Sequence, residues 1–515
     1  MKLKNFLSFN KNEDEKYFEK VPYEVYNQSA LSTKTEVTVV VPVYNAEKYL
    51  AKTVDSVIVQ NIGFQNITLI LVDDGSNDKS RSILKKYAAL YSNIVVIFLG
   101  ENTGTPAFPR NLGAHLANSE YLTFLDADDW LSHDGISQLY NLLEETKSDY
   151  AVGKTIQIDS KTEKIVGRYE SCKVRKNVSP YSIPHIFYHL GPRARMMRLS
   201  FVQENKIRYP EMKFAEDKQF FIDVLTAVGD ISTTTAPIYY LNRIPENDSL
   251  TKQTNIMEKM DTNITVLKYV LDKGLKADEE KMIVNRLVEF DSITRLFDRK
   301  HFVKSENKQK YYDKFEEVLA VFRKYKRPYS LEELIKKPIN KVYYDFLINK
   351  QYDKVQALAE WSKLNGEKSY KLIDELPYTI AHLNDGSTVR IEIPAEAKII
   401  SEVQKQDQIV MEIEVKGHQV SDIQGVEFQS RESIIDTFTI KEVVKNQMYN
   451  LVTLSLKAEH LQELEKGGYI MSLQYADYEK LMITKDSDTA YTLQSDQRSF
   501  EFYRTIKGNL SIKVK

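Results

Sequence analysis

The chain is predicted to be an α/β protein in three successive regimes: a mostly parallel sheet covered by helices, a helical connector and an antiparallel β-sandwich. Three observations predict it. Short β-branched runs alternate with amphipathic stretches over 37–158, helical periodicity dominates 181–381, and short alternating strands follow from Leu383. At about 150 residues per folding unit, a length of 515 agrees with roughly three units. A composition 42% hydrophobic and 28% charged excludes wholesale disorder.

The elements follow in order. Val-Thr-Val-Val-Val-Pro at 37–42 is a buried-strand run that ends at a proline. The stretch 47–60 then sets Leu50, Val54, Val57 and Ile58 on one helical face. Ile-Thr-Leu-Ile-Leu-Val at 67–72 is a second strand, and 78–91 a second helix. Further strands are expected at 94–99 and 121–125, with a short helix at 111–118 between them. Strands alternating with helices call for βαβ units and a sheet covered on both faces. Windows 255–271 and 281–297 repeat apolar residues every 3.6 positions, and a strand-like break falls at 231–241. Beyond Leu383, runs at 389–393, 409–415, 452–456, 469–475 and 500–503 largely alternate apolar and polar residues. Glycine turns separate them, which is the pattern of a sandwich.

Charge and cysteine content narrow the function. The 71 basic and 73 acidic residues leave a net charge of −2, so no global field holds nucleic acid or an anionic membrane. Cys172 is the only cysteine, which excludes an internal disulfide and a cysteine metal cluster. Residues 1–20 lack the apolar run and cleavage site of a signal peptide. No run of about 18 apolar residues suggests a membrane span. A cytoplasmic chain is expected. At 1–9, a frayed terminus is the simpler reading and an interfacial foot at the inner face of the membrane the alternative.

Ligands of open parallel sheets bind beyond the carboxyl ends of the strands, and three polar clusters fall there. Pro42-Val-Tyr44-Asn45 follows the first strand, Asp73-Asp74-Gly-Ser76 the second, and Asp126-Ala-Asp128-Asp129-Trp130 the strand at 121–125. Each alone reads as turn and cap chemistry; the three together signal a site. Two carboxylates two residues apart suit a hard divalent cation that completes its shell with a diphosphate and water. Mg²⁺ or Mn²⁺ held so would neutralise a leaving pyrophosphate. No dinucleotide Gly-x-Gly-x-x-Gly fingerprint follows the first strand, and no Walker lysine loop exists, so NAD and P-loop readings are disfavoured.

These motifs, with Asn102-Thr-Gly104 through Pro109-Arg110-Asn111, resemble the nucleotide-sugar half of inverting family 2 glycosyltransferases over about residues 36–250. The resemblance implies a GT-A fold, a Rossmann-like sheet. It implies that Pro42 and Tyr44 flank a uracil whose ring N–H donates to Asp74. Arg110 and Asn111 would lie near the nucleotide, Asp126 near the ribose or sugar, and Asp128 on the metal. Phe214-Ala-Glu216-Asp217 is similar to the family's Glu-Asp motif, with Asp217 at the position of the general base; a plain helix start is the other reading. The segment from Tyr239 through Arg243 to 247–251 resembles one that closes over the diphosphate, with Arg243 its phosphate partner.

The loop Gly104-Thr-Pro106-Ala-Phe-Pro109-Arg-Asn111 further resembles that of bacterial wall-teichoic-acid glycosyltransferases, which decorate poly(ribitol phosphate). That likeness implies a UDP-sugar donor, GlcNAc or another hexose or HexNAc, and a homo-oligomer, dimer or trimer, built through the C-terminal domain. The resulting division is an extension at 1–35, a GT-A domain at 36–255, a helical connector at 256–381 and a β-sandwich at 382–515. The last is long enough for one sandwich, not a tandem pair. Arg193, Arg195 and Arg198 either grip a phosphate-rich acceptor or form a solvated face. His185 and His189 stand four apart without the further ligands of a zinc site and are expected to pack or to lie on the surface. Other acceptors, a serine-rich surface glycoprotein or a capsule intermediate, stay open. So does an inactive glycan-binding scaffold, although Asp128 and Asp217 both being present argues against it. A sugar-phosphate nucleotidyltransferase would need a Gly-rich lysine loop that the chain lacks.

Overall fold

A computed structural model describes residues 16–244, 255–417, 423–448, 450–495 and 497–515. The chain divides into two compact units, Met1–Thr262 and Asn263–Lys515.

The first unit is built on one sheet. Its strands are β1 (Tyr23–Tyr26), β2 (Thr35–Val43), β3 (Ile67–Asp73), β4 (Ile94–Leu99), β5 (Ser119–Phe124), β6 (Trp130–Leu131), β7 (Tyr150–Ile158), β8 (Glu163–Val166), β9 (Arg175–Val178), β10 (Arg195–Arg198) and β11 (Ile231–Asn242). The main order is β1-β4-β3-β2-β5-β10-β7-β11-β6. Strands β2, β3, β4 and β5 run parallel, so the ends of β2, β3 and β5 open on one side. β3 and β4 are buried at every residue, because helices cover both faces and leave no side of either strand for water.

The covering helices include α1 (Leu50–Ile58), α2 (Ser80–Leu90), α3 (Ala107–Leu116), α4 (Gly135–Thr146) and α5 (Glu216–Ala227). On α1, Leu50, Val54 and Val57 point into the core with Val39, Val41, Leu69 and Leu71. Helix α3 starts before the expected 111–118, since Pro106 and Pro109 fall at its cap and first turn, where a missing N–H costs nothing.

The described part of the extension, from residue 16, joins this unit. β1 pairs antiparallel with β4, and a helical turn at 16–19 sets Phe18 in a stack on His115 and Tyr17 against Phe108. Short exposed strands carry no alternation to read, which is why β1 escaped the pattern. Residues 1–9 lie outside the described residues.

The second unit opens within helix Ile256–Asp272. It continues through Ala277–Asn285, a π-helical stretch Arg286–Thr294, Gln309–Tyr325, Pro338–Ile348 and Tyr352–Lys363. Strands begin at Lys368, earlier than the alternation suggested, because Lys368–Ile373 is exposed along nearly its whole length. Three strands, Lys368–Ile373, Leu376–His382 and Thr388–Glu392, form one small sheet. Among the described residues, eleven more between 396 and 514 form a mostly antiparallel sheet system around Ile409, Met411, Ile413, Phe428, Leu454, Met471, Phe500 and Ile512. Among the described residues no helix is long and apolar enough to cross a membrane.

Candidate active site

The parallel strands deliver three loops to one edge. After β2, Pro42 is half-buried and Tyr44 is 48% exposed, a flat apolar face turned to solvent. After β3, the Asp74 N–H donates to Val43 O at 2.8 Å, fastening the second loop to the first. Asp74 Oδ1 accepts from Thr103 N at 2.8 Å and Thr103 Oγ1 at 2.9 Å, fastening the third. Burial raises its pKa and the two Thr103 bonds oppose the rise. Among the described residues the second oxygen of Asp74 has no hydrogen-bond partner.

After β5, Asp126 and Asp128 are half-exposed while Asp129 is buried. Asp129 is a strut: it accepts from Tyr239 Oη at 2.7 Å and from Asn242 N at 2.7 Å, tying the end of β11 to this loop. Burial, then the charges of Asp128 and Asp126, push its carboxyl well above the usual range. Carboxyl groups are therefore crowded at this rim. Among the described residues no group of three or more His, Cys, Asp or Glu side chains could enclose a metal ion. The oxygen donors of Asp126 and Asp128 fit a hard divalent cation that takes further ligands from a diphosphate and water, and do not fit a site closed by protein alone.

Arg110, buried on α3, spans the site. Its Nη2 donates to Asp126 Oδ1 at 2.7 Å and its Nη1 to Glu216 Oε1 at 3.1 Å, and it lies 5.1 Å from the Tyr209 ring. Burial would weaken its charge, but Asp126, Tyr209 and Glu216 hold it firmly protonated. Glu216 and Asp217 start α5 after Ala215, which sits in the left-handed region at φ 70°. Burial, then Asp217, raise Glu216 to about 7. Burial also raises Asp217, opposed by Arg110, Arg193 and Lys218. Asp217 keeps part of its surface open. Sequence reasoning did not single out Tyr209 or the bridging geometry of Arg110; only the tertiary contact reveals them.

The remaining predicted residues separate. Asn111 faces inward: its Nδ2 donates to Tyr209 O at 2.8 Å and its Oδ1 accepts from Tyr209 N at 2.9 Å, so the amide positions Tyr209. The three arginines of 193–198 do not form one patch. Arg193 is half-buried near Asp217. Arg195 is 1% exposed and is held by Tyr150 Oη at 2.5 Å, Gly191 O at 2.8 Å and Glu170 Oε1 at 2.6 Å. Arg198 pairs across from Tyr121, near the start of β5, and so lies at the opposite end of that strand from Asp126. Arg195 and Arg198 stand an odd number of positions apart on β10 and so point to opposite faces, while Arg193 precedes the strand. Arg243 follows β11, its N–H donating to Ile158 O at 2.8 Å; residues 247–251 lie outside the described residues. Among the histidines, His189 is buried on Glu170 and His185 packs against Tyr169 and Tyr188.

A mixed sheet whose central strands run parallel, with carboxylates at their ends and an acidic helix start across the rim, defines a transferase domain of the GT-A type. The family profile "Glycosyl transferase family 2" matches residues 38–216. A Haemophilus influenzae protein described as an uncharacterized glycosyltransferase is 30% identical over 194 residues, 37% of this chain and 72% of that one. The chain belongs to glycosyl transferase family 2.

The poly(ribitol-phosphate) β-glucosyltransferase of Bacillus spizizenii is 32% identical over 209 residues, 40% of this chain. The chain spans only 32% of that relative's length. The Staphylococcus aureus TarS crystal structure superposes with a TM-score of 0.55 at 17% identity, covering 93% of this chain and 85% of that one. Its fragment 1–349 bound to UDP-GlcNAc gives 0.55 at 20% identity, covering 70% and 99%. At these identities the likeness is one of fold.

Proposed function

We propose that this chain transfers a sugar, GlcNAc or another hexose or HexNAc, from a UDP-sugar to a cell-surface polymer such as poly(ribitol phosphate), with inversion at the anomeric carbon. The observation that carries the reading is Arg110, one side chain bonded to both Asp126 on the strand-end rim and Glu216 beside Asp217. A donor on that rim and a base at that helix start then lie within one guanidinium's reach. The Bacillus relative's poly(ribitol-phosphate) acceptor and the UDP-GlcNAc of the TarS complex support the substrate classes.

In this mechanism Tyr44 and Pro42 sandwich the uracil, and the second oxygen of Asp74 accepts its ring N–H. Asp126 holds the ribose or sugar, and Arg243 pairs with the diphosphate. Asp217 takes the proton of the acceptor hydroxyl as that oxygen attacks the anomeric carbon. The bond to the diphosphate oxygen breaks and UDP leaves with the electron pair. Asp128 would hold Mg²⁺ or Mn²⁺, which when bound neutralises charge on the departing diphosphate. Arg193 faces the acceptor. We further propose a homo-oligomer, dimer or trimer, built through the C-terminal strands and working in the cytoplasm. Several sites along one polymer would raise effective concentration without new chemistry.

The test is release of UDP from a panel of UDP-sugars, then the winning donor against ribitol-phosphate polymer, with light scattering on the full chain. Release with polymer transfer supports the reading. Release without it turns the acceptor to a surface glycoprotein or capsule intermediate. No release and no transfer with any donor favours a glycan-binding scaffold.

A further inference from the structure

A buried polar chain outside the donor rim leads to Asp217. Arg195 Nη2 donates to Glu170 Oε1 at 2.6 Å, and Glu170 Oε2 lies 3.2 Å from His189 Nδ1. His189 Nε2 lies 3.1 Å from Arg193 Nη2. Only one tautomer satisfies both contacts of a neutral ring: Nδ1–H donates to the carboxylate, and the Nε2 lone pair accepts from the guanidinium. Burial drives the His189 pKa down to about 4, against the opposing pull of Glu170, so the ring is neutral and able to accept.

The backbone is shaped to this chain. Ala194, in the left-handed region at φ 56°, turns the backbone between Arg193 and Arg195. At Gly191 a Cβ would stand 2.9 Å from Arg193 Nη2 and 3.6 Å from Asp217 Oδ2, so this backbone runs close beside both groups. At Gly167, φ +65°, a Cβ would stand 2.7 Å from His189 Nδ1 and 3.1 Å from Glu170 Oε2.

We propose that His189 is a positioning residue: anchored through Glu170 to Arg195, it holds the Arg193 guanidinium beside Asp217, keeping that carboxylate ionised and oriented for an acceptor hydroxyl. This rests on the reading of Asp217 as the general base. The groups facing Asp217 are Arg110 from α3, Arg193 from the 191–195 loop, Glu216 and Lys218 from its own helix, and Tyr209. Those facing His189 are Glu170, Arg193 and Arg195. Arg193 is the cation near Asp217 whose place a single ring nitrogen decides.

The experiment compares wild type with His189→Phe, His189→Gln and Arg193→Gln. Asp217 is titrated by ¹³C NMR on aspartate-labelled protein, its signal assigned with Asp217→Asn, alongside UDP-release kinetics. Thermal melting and UDP binding confirm folding. Losing a cation from beside a carboxylate raises its pKa, by about one unit or more at this kind of range. His189→Phe should therefore raise the Asp217 midpoint by about one unit and cut kcat about tenfold, with donor KM within about twofold. His189→Gln, whose amide oxygen can still accept from Arg193, should fall nearer wild type.

Arg193→Gln should match His189→Phe, and it carries the test if the phenylalanine variant does not fold. Unmoved midpoints in the folded variants overturn the proposal while leaving the transferase reading intact. A shifted midpoint in an enzyme that releases no UDP supports the positioning and removes the transferase reading instead.

Discussion

The strand-end rim of the first unit and the antiparallel strands of the second both bury charge, but they do so differently. In the second unit a buried charge meets an opposite one across the sheet: Lys485 on Glu402, Lys480 on Glu427. Such matched pairs help register and need no further ligand. At the rim, Asp126, Asp128 and Asp129 crowd together, with Glu216 and Asp217 opposite; burial raises Asp129, Glu216 and Asp217, neighbouring carboxyls add to the rise at the first two, and Arg110 pairs with only Asp126 and Glu216 among them. A surplus of one sign beside half-open side chains is what a site for a cation and a polar substrate requires. Matched charge marks folding, and surplus charge marks chemistry.

The largest expected effect tests that surplus directly. Chelation with EDTA should abolish transfer, and Mn²⁺ or Mg²⁺ should restore it. Asp128→Ala should also abolish transfer while the melting curve stays near wild type, because a half-exposed carboxylate in a surplus is not needed for folding. Full activity in EDTA would remove the metal role of Asp128 and point to a metal-free site.

Asp217 comes next. Asp217→Asn removes the base but preserves shape, so kcat should fall by about 100-fold or more with donor KM little changed. In wild type, burial raises the Asp217 pKa, so the acid limb of kcat/KM should lie above the ordinary aspartate range of about 4. The ionised form is the active one, so transfer is present above that limb and is lost as pH falls through it. A limb at the ordinary value, or one surviving in Asp217→Asn, would assign the base elsewhere.

The sequence reading reached further into the fold than into the site, and particular residues show why. Val37 to Pro42 and the run at 67–72 are local patterns whose burial follows from their own order, and both became the expected strands. The polar clusters after them were legible because strand ends are where a parallel sheet exposes function. Asn111 was not legible in this way, since its partner Tyr209 lies 98 positions away. Nor could Arg193, Arg195 and Arg198 be separated without knowing that they leave a turn and enter a short strand. His189 read as packing, and it does pack, but its partners are what give it a direction.

A smaller effect probes Asn111. Its amide makes two bonds to the Tyr209 backbone in a buried site, so Asn111→Ala leaves a peptide N–H and C=O short of partners. Each such buried group costs about 1–3 kcal/mol. Urea unfolding should show a loss of about 2 kcal/mol or more, with donor KM shifted only modestly. A large rise in donor KM at unchanged stability would instead make the amide a nucleotide contact.

The smallest effect is expected at Arg198. It is half-buried and bonds to Asp149 Oδ1 at 3.0 Å, to Tyr121 Oη at 3.0 Å and to Glu120. All three partners lie near the starts of β5 and β7, away from the rim. Its charge is matched, like those of the second unit. Arg198→Gln should leave kcat and both KM values within about twofold, and loss of a partly exposed ion pair should cost about 1 kcal/mol in urea unfolding. A pronounced rise in polymer KM, with sugar transfer to water unchanged, would show that acceptor chains travel around the sheet to its far end. It would also break the division between matched and surplus charge within the first unit itself.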